Sequence, residues 1–434
     1  MKKNMFFWIM ALMICAAVGC TDNSTYEPEK LPAPKKLSHE VTQAEARQSL
    51  EKIIANMTTS ATRSGEQKSL PPITSVYTTG KPAVETRVGE DVEPYFHIFN
   101  FGDNEGFAIM SGDDRVEPLL ALTFSGELTP ETDIDNPGFE IAYSKMEDYY
   151  VAKTMSGPSV NPDIPIPPKD SFPTSIVEDS TYYFPMKFGY CPVKWGQGEP
   201  YNTYCTITVD GVTKPAPTGC VTVAVAQLMA IYKYPDSYYY HPNNEAATFN
   251  WDEMTNHPLS DAGINKIDSL MYLLGKPYNL CVIYGEETST AFANDIPRTL
   301  EAFGYSNGGD WVNYNTDKVV NELKEGYPVL IGGKRLKENG EISGHRWLGH
   351  GLMKLISTHK LYRFPNGWIT LDPPFESYYI LCNWGWYGKA DGYYLSNVFN
   401  VANGAVYPDP IYPNDSTINY NYQYDIDVVM NIRK

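Results

Sequence analysis

A cysteine and a histidine, 125 positions apart, are the residues of this sequence best suited to covalent chemistry. Cys220 follows Pro217 and Gly219, which interrupt regular structure, and precedes the apolar run VTVAVAQLMAIYKY. That run predicts a buried helix with Cys220 at its N-terminus, where unpaired N–H groups and the helix dipole favour a thiolate. A buried structural cysteine is the alternative interpretation.

A nucleophilic cysteine needs a base within hydrogen-bond reach. His345 is the candidate, because it stands in SGHRWLGHG between Gly344 and an alternating strand. His350, in the same stretch, is its rival. Taken singly, either residue also fits a hydrogen-bonded histidine of a strand.

Two further stretches fit the same chemistry. Gln197 lies in the glycine-flanked turn of VKWGQGEPYN, and its amide and the Cys220 backbone N–H predict a pair of donors for an oxyanion. In LCNWGWYGKADGYY, Asn383 is expected to orient the imidazole, and Trp384 and Trp386 to shield that bond from water. Each stretch alone also fits an aromatic strand or a turn in a sheet.

The N-terminus predicts export. Lys2 and Lys3 precede the apolar run MFFWIMALMICAAVG, which is too short to span a bilayer. Small residues before Cys20 predict a bacterial lipobox, with residues 1–20 as the signal peptide and Cys20 as the lipidated residue. A plain secretory signal cut nearby is the alternative. The polar, proline-bearing residues 21–37 are predicted to be a tether.

The length of 434 residues predicts more than one folded unit. Residues 38–156 predict a small α+β unit, in which Ser38 caps an amphipathic helix, YFHIFNF and GFAIMSG form a hairpin, RVEPLLALTFSG contains a strand and NPGFEIAYSKMEDYYVAKTM forms a second helix. Six prolines in residues 157–173 predict an extended, cleavable linker over 157–180. Residues 181–434 form the second unit.

Composition and cysteine count exclude several classes of protein. The net charge is −18 and the chain has no block of Lys and Arg, so nucleic acid is not an expected partner. Neither C-x-x-C nor H-E-x-x-H occurs, so neither a metal nor another cofactor is expected. Beyond the N-terminal segment five cysteines remain, an odd number, and Cys191 and Cys205 could pair in an oxidising compartment.

Several blocks of the chain resemble those of the streptopain family of cysteine peptidases. They are WGQGEPYN, PTGCVTVAVAQLMAIYKYP, FNWDEM, SGHRWLGHG and NWGWYGKADGYY. HIFNFGDNEGFAIMSGDDRVEPLLAL resembles the pro-domain of such peptidases. The resemblance implies an α+β protein with a small α+β inhibitory pro-domain before a papain-like, two-lobed peptidase. One lobe would hold a central helix, and the other an antiparallel sheet.

The resemblance also implies roles for individual residues. Cys220 would be the nucleophile, His345 the base and Gln197 the oxyanion donor. Asn383 and Trp384 match the block that supports the histidine. The residues expected to line the substrate cleft are Gly344, Ser289, Thr290 and Trp386.

Three features depart from the family pattern. Arg346 replaces a small residue after the histidine, and His350 replaces an aspartate that often precedes the glycine of that strand. STHKLYRFPNGWITLDPPFES is an insertion between His345 and Asn383. Because neighbours alternate along a strand, Arg346 should point away from the site. The insertion is expected to reshape one wall of the cleft.

The functional prediction is a secreted, lipid-anchored cysteine endopeptidase zymogen that cleaves proteins or peptides at the outer membrane or cell surface. Its own pro-domain would cover the cleft until another protease or the enzyme itself cuts the linker. Membrane contact would come only through the lipid. One alternative is a catalytically impaired lipoprotein that binds peptide or glycan through the same cleft. Another is an inhibitor of a partner protease, acting through the first unit.

Overall fold

The computed structural model describes the following residues: 39–61, 71–80, 93–155, 175–176, 181–186, 191–240, 242, 245–336, 342–357, 360–363, 369–372, 375–400 and 426–434. The predicted signal peptide, Cys20, the tether and most of the predicted linker lie outside the described residues. No helix within the described ranges is both long enough and apolar enough to cross a membrane.

The first part of the chain is built from two helices and four strands. They are α1 (Gln43–Ala61), β1 (Ile73–Thr78), β2 (Phe96–Phe101), β3 (Phe107–Ser111), β4 (Leu119–Thr123) and α2 (Pro137–Met155). Helix α1 begins later than predicted, because Thr42 rather than Ser38 caps it. The Thr42 N–H donates to the Glu45 carboxylate at 2.8 Å, and the Glu45 N–H donates back to the Thr42 hydroxyl at 3.3 Å. This reciprocal capping box satisfies two N–H groups at the start of the helix.

The predicted hairpin is confirmed. Strands β2 and β3 pair antiparallel from Phe96 opposite Ser111 to Asn100 opposite Phe107. The turn between them uses left-handed backbone at Gly102, Asn104 and Gly106, with φ of 53°, 61° and 121°. Glycine and asparagine tolerate that region far better than other residues, so the GDNEG stretch forms the turn.

The second part of the chain begins with a helical lobe. Its elements are β7 (Thr206–Val209), β8 (Val212–Pro215), α3 (Cys220–Tyr232), β9 (Ser237–Tyr240), β10 (Glu245–Thr248), α4 (Trp251–Thr255), α5 (Asp261–Leu274), a 3₁₀ turn (Ala293–Asp295) and α6 (Ile296–Ala302). Helix α3 is the centre of this lobe, with ten consecutive buried residues after Cys220. A helix that is apolar all round must be enclosed by other elements, as the sequence predicted for this run.

The β-lobe follows, and it extends into the first part of the chain. Its elements are β11 (Asp310–Asn313), α7 (Thr316–Lys324), β12 (Val329–Leu336), β13 (Ile342–Ser357), β16 (Phe375–Asn383), β17 (Gly392–Leu395), a 3₁₀ turn (Ser396–Phe399) and β18 (Asp427–Met430). The strand order of the sheet is β1-β2-β3-β4-β17-β16-β13-β12-β18-β11, and β6 (Thr181–Met186) pairs with β13 off this path.

The first part of the chain joins the β-lobe at strand β17. Leu122 of β4 lies opposite Tyr393 of β17 in an antiparallel pair. One apolar cluster spans the junction and includes Phe139 of α2 together with Trp384 and Tyr394 of the β-lobe. Residues 39–434 therefore form one compact unit.

The insertion lies far from the catalytic end of its hairpin. It forms strands β14 (Lys360–Arg363) and β15 (Ile369–Asp372), and β14 also pairs with β5 (Ser175–Ile176). His345 stands near the start of β13, whereas the insertion follows its last residue, Ser357. Twelve strand residues span roughly 40 Å. The insertion pairs with a strand inside the predicted linker, and its effect on the cleft stays a prediction.

Candidate active site

Cys220 stands at the first position of helix α3, on a sharp turn made by Gly219. Gly219 has φ of 89°, and a Cβ atom there would lie 3.4 Å from the Ser289 carbonyl oxygen. The positive φ favours glycine at this position, whereas the Ser289 oxygen stands at an ordinary contact distance. The turn leaves Cys220 partly exposed at the positive end of a buried helix, an environment that favours a thiolate.

His345 lies buried on strand β13, and its charge and hydrogen bonding lower the pKa of the Cys220 thiol. Its Nε2 atom is 2.7 Å from the backbone carbonyl oxygen of Trp384. A carbonyl oxygen only accepts hydrogen bonds, so Nε2 carries the proton and Nδ1 is left for Cys220. Trp347 lies parallel to the imidazole at 6.5 Å, and the Trp386 ring meets it edge-on at 6.3 Å.

The surroundings of Cys220 favour its charged form. Burial raises the pKa of the thiol, but the charge and hydrogen bond of His345, the backbone N–H of Arg346 and the Arg346 charge lower it by more. The net pKa lies below the ordinary value for cysteine. The side chain of Cys220 is therefore placed where its thiolate form is favoured, next to His345.

Asn383 does not orient the imidazole as predicted; the Trp384 carbonyl does. The Asn383 amide nitrogen donates to the Val193 carbonyl at 2.9 Å, and its oxygen accepts from Gln227 at 2.8 Å and from the Gly385 N–H at 3.0 Å. These bonds fix the two residues that flank Trp384. Asn383 therefore supports His345 indirectly, by holding the loop that carries the Trp384 carbonyl.

Gln197 lies half-buried in a turn joined to the Cys220 region. Its backbone carbonyl accepts from the Thr218 N–H at 2.8 Å, two residues before the cysteine. Among the described residues, none forms a hydrogen bond with its side-chain amide. The oxyanion role stays a prediction, and the free amide is what that role requires.

The residues predicted to line the cleft fall into two groups. Ser289 contacts the Gly219 turn, and the next residue, Thr290, forms a two-way backbone pair with Ile283 at 2.8 and 2.9 Å. Gly344 is exposed beside His345, and Trp386 is half-buried against the imidazole. The two groups flank the cysteine and the histidine respectively, and their contact with substrate stays a prediction.

The N-terminal end of helix α2 rests on the catalytic histidine. A Cβ atom at Gly138 would lie 2.4 Å from Trp384 Cε3 and 2.7 Å from His345 Cδ2. Asn136 caps the helix through Gly138 N–H at 3.1 Å and also donates to the Lys389 carbonyl at 2.9 Å. Only a residue without a side chain permits this approach, so the first part of the chain covers the imidazole.

Residues 195–394 match the Peptidase C10 family, and residues 38–154 match the Spi protease inhibitor family. Residues 195–394 are therefore a C10-type cysteine peptidase domain. The inhibitor-like part is its pro-domain, and the part that holds Cys220 and His345 is its peptidase domain.

Two named relatives of this C10 peptidase are each 23% identical to it over the aligned residues. One is the thiol protease/hemagglutinin PrtT of Porphyromonas gingivalis, aligned over 72% of this chain and 35% of that protein. Another is streptopain of Streptococcus pyogenes serotype M1, aligned over 70% of this chain and 74% of that protein. This chain thus matches about a third of the length of PrtT. A solved fragment of prointerpain A from Prevotella intermedia is 20% identical, with a TM-score of 0.49 over 83% of this chain and 99% of the fragment.

Neither Arg346 nor His350, which both depart from the family pattern, disturbs the C10 site. The Arg346 guanidinium donates to the Leu330 carbonyl at 2.9 Å and pairs with Asp427, on the face of β13 opposite to His345. His350 sits at a bulge in β13, and its Nδ1 accepts from the Cys191 N–H at 3.1 Å. His350 therefore anchors the start of the peptidase domain and is not the base.

The remaining thiols of the peptidase domain are unpaired. Cys191 and Cys205 are both free and buried, so the structure does not contain the disulfide that they could form. Burial raises the pKa of Cys191 to about 12 and that of Cys205 to about 11. Neither thiol is activated as a nucleophile, in contrast to Cys220.

One group of described side chains has the spacing of a metal site, and it lies in the pro-domain. The group consists of His39, Asp113 and Asp114. Arg115 already binds both oxygens of Asp113, at 2.8 and 2.6 Å, and His39 pairs with Asp114 at 2.6 Å. The Arg115 guanidinium supplies the positive charge that balances Asp113, so we interpret the group as an ion-pair cluster.

Asp391 is a residue of the C10 site that the sequence pattern did not reveal. Its carboxylate accepts the Trp384 N–H at 3.0 Å, and its carbonyl accepts the N–H of Phe124 in the pro-domain at 3.0 Å. Burial raises the pKa of the Asp391 carboxyl to about 7, against the lowering effects of the Trp384 N–H and the Lys194 charge. The only sequence signal was a lone acidic residue beside the apolar strand GYYL.

The Asp391→Asn variant should lose part of the pH dependence of stability. A carboxyl with a raised pKa makes the folded chain bind more protons than the unfolded chain between about pH 4 and 7. The free energy of unfolding should therefore fall as pH rises through that window and level off above it. Asparagine keeps the hydrogen bond to Trp384 but does not titrate. The decrease in the free energy of unfolding across that pH window should therefore be smaller by roughly 1–3 kcal/mol.

Urea unfolding at pH 4, 5, 6, 7 and 8 measures this effect. Asp103→Asn, in the exposed turn between β2 and β3, is the matched control and should keep the slope of the unchanged chain. Burial also raises the pKa of Glu147 to about 7, but that residue is the same in all three proteins. Equal slopes for Asp391→Asn and the unchanged chain would show that Asp391 does not titrate in this range.

Proposed function

We propose that this chain is an exported cysteine endopeptidase, made as a zymogen, in which Cys220 and His345 hydrolyse peptide bonds in protein substrates. One observation carries the proposal. Cys220 stands at a helix N-terminus with its pKa lowered by His345, and a backbone carbonyl holds Nε2 of that histidine. Buried structural cysteines such as Cys191 have none of these features.

The first half of the reaction forms a thioester. The Cys220 thiolate bonds to the carbonyl carbon of the peptide, and the π electrons move to the oxygen. The Gln197 amide and the Cys220 N–H hold that oxyanion. The C–N bond then breaks, and its electron pair takes the proton of the His345 imidazolium, so that the amine leaves.

The second half restores the enzyme. Neutral His345 takes a proton from water, and the water oxygen bonds to the thioester carbon. The C–S bond breaks, its electron pair returns to Cys220, and the carboxylic acid product leaves. The Trp384 carbonyl keeps the imidazole aligned in both halves, because its hydrogen bond to Nε2 does not involve the nitrogen that exchanges protons.

Latency follows from the place of the pro-domain. Helix α2 covers His345 at Gly138, the Arg335–Glu140 ion pair at 2.9 Å fastens the same helix to β12, and β4 extends the peptidase sheet at β17. Cleavage of the predicted linker, residues 157–180, by another protease or by the enzyme itself would let the pro-domain leave. Export through the signal peptide and lipid attachment at Cys20 remain part of the proposal on sequence grounds.

The proposal predicts how fast Cys220 reacts with iodoacetamide at each pH. The thiolate should persist well below the pH at which a free cysteine is protonated. In His345→Ala the charge and hydrogen bond that lower the pKa are gone and burial dominates, so alkylation at pH 6 should slow by at least about tenfold.

Mass spectrometry of the Cys220 peptide measures the rate in full-length protein. Cys281, which is exposed, is replaced by serine in every variant to remove a competing thiol. His257→Ala, at an exposed histidine outside the site, is the matched control and should react like the unchanged chain. The same pH profile with and without His345 would contradict an ion pair and favour the alternative of a binding protein without catalysis.

A further inference from the structure

Tyr387, which is neither the nucleophile nor the base, forms a hydrogen bond with the turn that carries Gln197. The hydroxyl oxygen of Tyr387 accepts the Gly198 N–H at 2.7 Å. A Cβ atom at Gly196 would lie 2.4 Å from the Tyr387 ring, and one at Gly198 would lie 2.8 Å from its hydroxyl. The aromatic ring therefore lies directly on the glycines either side of Gln197.

The hydrogen bonds on this turn hold a single peptide group from both sides. The carbonyl of Gln197 and the N–H of Gly198 belong to the same peptide plane. Thr218 N–H donates to the carbonyl at 2.8 Å, and Tyr387 accepts from the N–H. Because the Gln197 amide has no hydrogen bond to another described residue, the direction of its side chain depends on this backbone. Two hydrogen bonds on one peptide plane fix the backbone from which the Gln197 side chain extends.

The backbone of Tyr387 shows that the surroundings hold it in place. Its φ is 57°, in the left-handed region that bulky residues seldom adopt. Such a conformation persists only where neighbouring contacts impose it. The Tyr201 ring stacks on Tyr387 at 6.4 Å and 22°, on a side chain that is still 43% exposed.

We propose that Tyr387 is a positioning residue for the oxyanion donor, and that it aligns the Gln197 amide by fixing the peptide group between Gln197 and Gly198. The inference rests on the proposed function, because an oxyanion forms only if Cys220 attacks a carbonyl. Tyr387 stands three residues after Trp384, whose carbonyl holds His345. One short loop therefore positions both the base and the oxyanion donor.

The inference is tested by steady-state kinetics on a peptide substrate. The enzyme is the full-length chain after its linker has been cut. Tyr387→Phe keeps the ring and removes only the acceptor of the Gly198 N–H. Its kcat should fall about tenfold while KM changes less than about twofold, because the oxyanion exists only in the transition state. Tyr204→Phe is the matched control: this tyrosine is also 43% exposed and its hydroxyl donates to Asn265 at 2.7 Å, so both constants should stay unchanged.

A double-mutant cycle with Gln197→Ala separates positioning from general support of the fold. Gln197→Ala alone should lower kcat by roughly 100-fold. If Tyr387 acts through Gln197, adding Tyr387→Phe should cost less than about twofold more. A full tenfold loss in both backgrounds would overturn the inference, and so would a slower alkylation of Cys220 in Tyr387→Phe. An inactive processed wild type would overturn the proposed function itself, whereas the other outcomes leave that function intact.

Discussion

Replacing Cys220 by alanine is expected to lower kcat/KM of the processed enzyme by a factor of about 10⁴ or more. Removal of the nucleophile from a hydrolase with covalent catalysis costs on the order of 10⁴ to 10⁶ in rate. The buried thiols of Cys191, Cys205 and Cys382 are not expected to take its place, because burial raises the pKa of each one. Hydrolysis of an unstructured protein, with the linker cut in each sample, measures the loss.

The control for this result is Cys281→Ala. That residue is an exposed free thiol outside the site, and its loss should leave kcat/KM unchanged. An epoxysuccinyl inhibitor should block the unchanged chain and the Cys281→Ala variant alike. Activity that survives in Cys220→Ala would assign the nucleophile to another residue and would remove the basis of the proposed mechanism.

A valine at position 138 is expected to loosen the pro-domain and expose the active site in the uncut chain. The new side chain would begin 2.4 Å from Trp384 and 2.7 Å from His345, where no room exists. Overpacking of this kind costs about 1–3 kcal/mol, which corresponds to a roughly 5- to 150-fold larger open population. Replacement of glycine within a helix stabilises the helix itself, so propensity alone predicts the opposite sign.

The rate at which an epoxysuccinyl inhibitor labels Cys220 in uncut protein measures the open population. Met155→Val is the matched control, because it places the same residue at the exposed end of the same helix, where the native side chain is 69% accessible. An unchanged labelling rate for Gly138→Val would show that helix α2 does not limit access to the site. A slower rate would mean that the added side chain closes the site further.

Local sequence signals were sufficient for the helix that carries the candidate nucleophile. Glycine before Cys220 and an unbroken apolar run after it predict both the start of a buried helix and the chemistry of its first residue, and the structure has that helix at Cys220–Tyr232. The hairpin around GDNEG was equally local, since its glycines and asparagine adopt the left-handed backbone of the turn. Such features depend on neighbouring residues alone.

The partner of the imidazole depended on strand register, which the sequence does not reveal. Asn383 pairs with Leu348 across strands β16 and β13. Opposed residues share a face of the sheet, and residues an odd number of positions apart on one strand point to opposite faces. Asn383 therefore shares a face with Leu348 and not with His345, and a backbone carbonyl, which any residue carries, holds the histidine.

Residue types and spacing by themselves determined the family resemblance, the candidate nucleophile, the candidate base and the position of the Gln197 turn. Only the tertiary structure decided that Arg346 pairs with Asp427, that Gly138 packs against His345 and Trp384, that Tyr387 accepts the Gly198 N–H, and that the Asp391 carbonyl accepts the Phe124 N–H. The physical reason is distance along the chain. Each of these contacts joins segments of different strands and helices, so that it exists only once the sheet has brought them together.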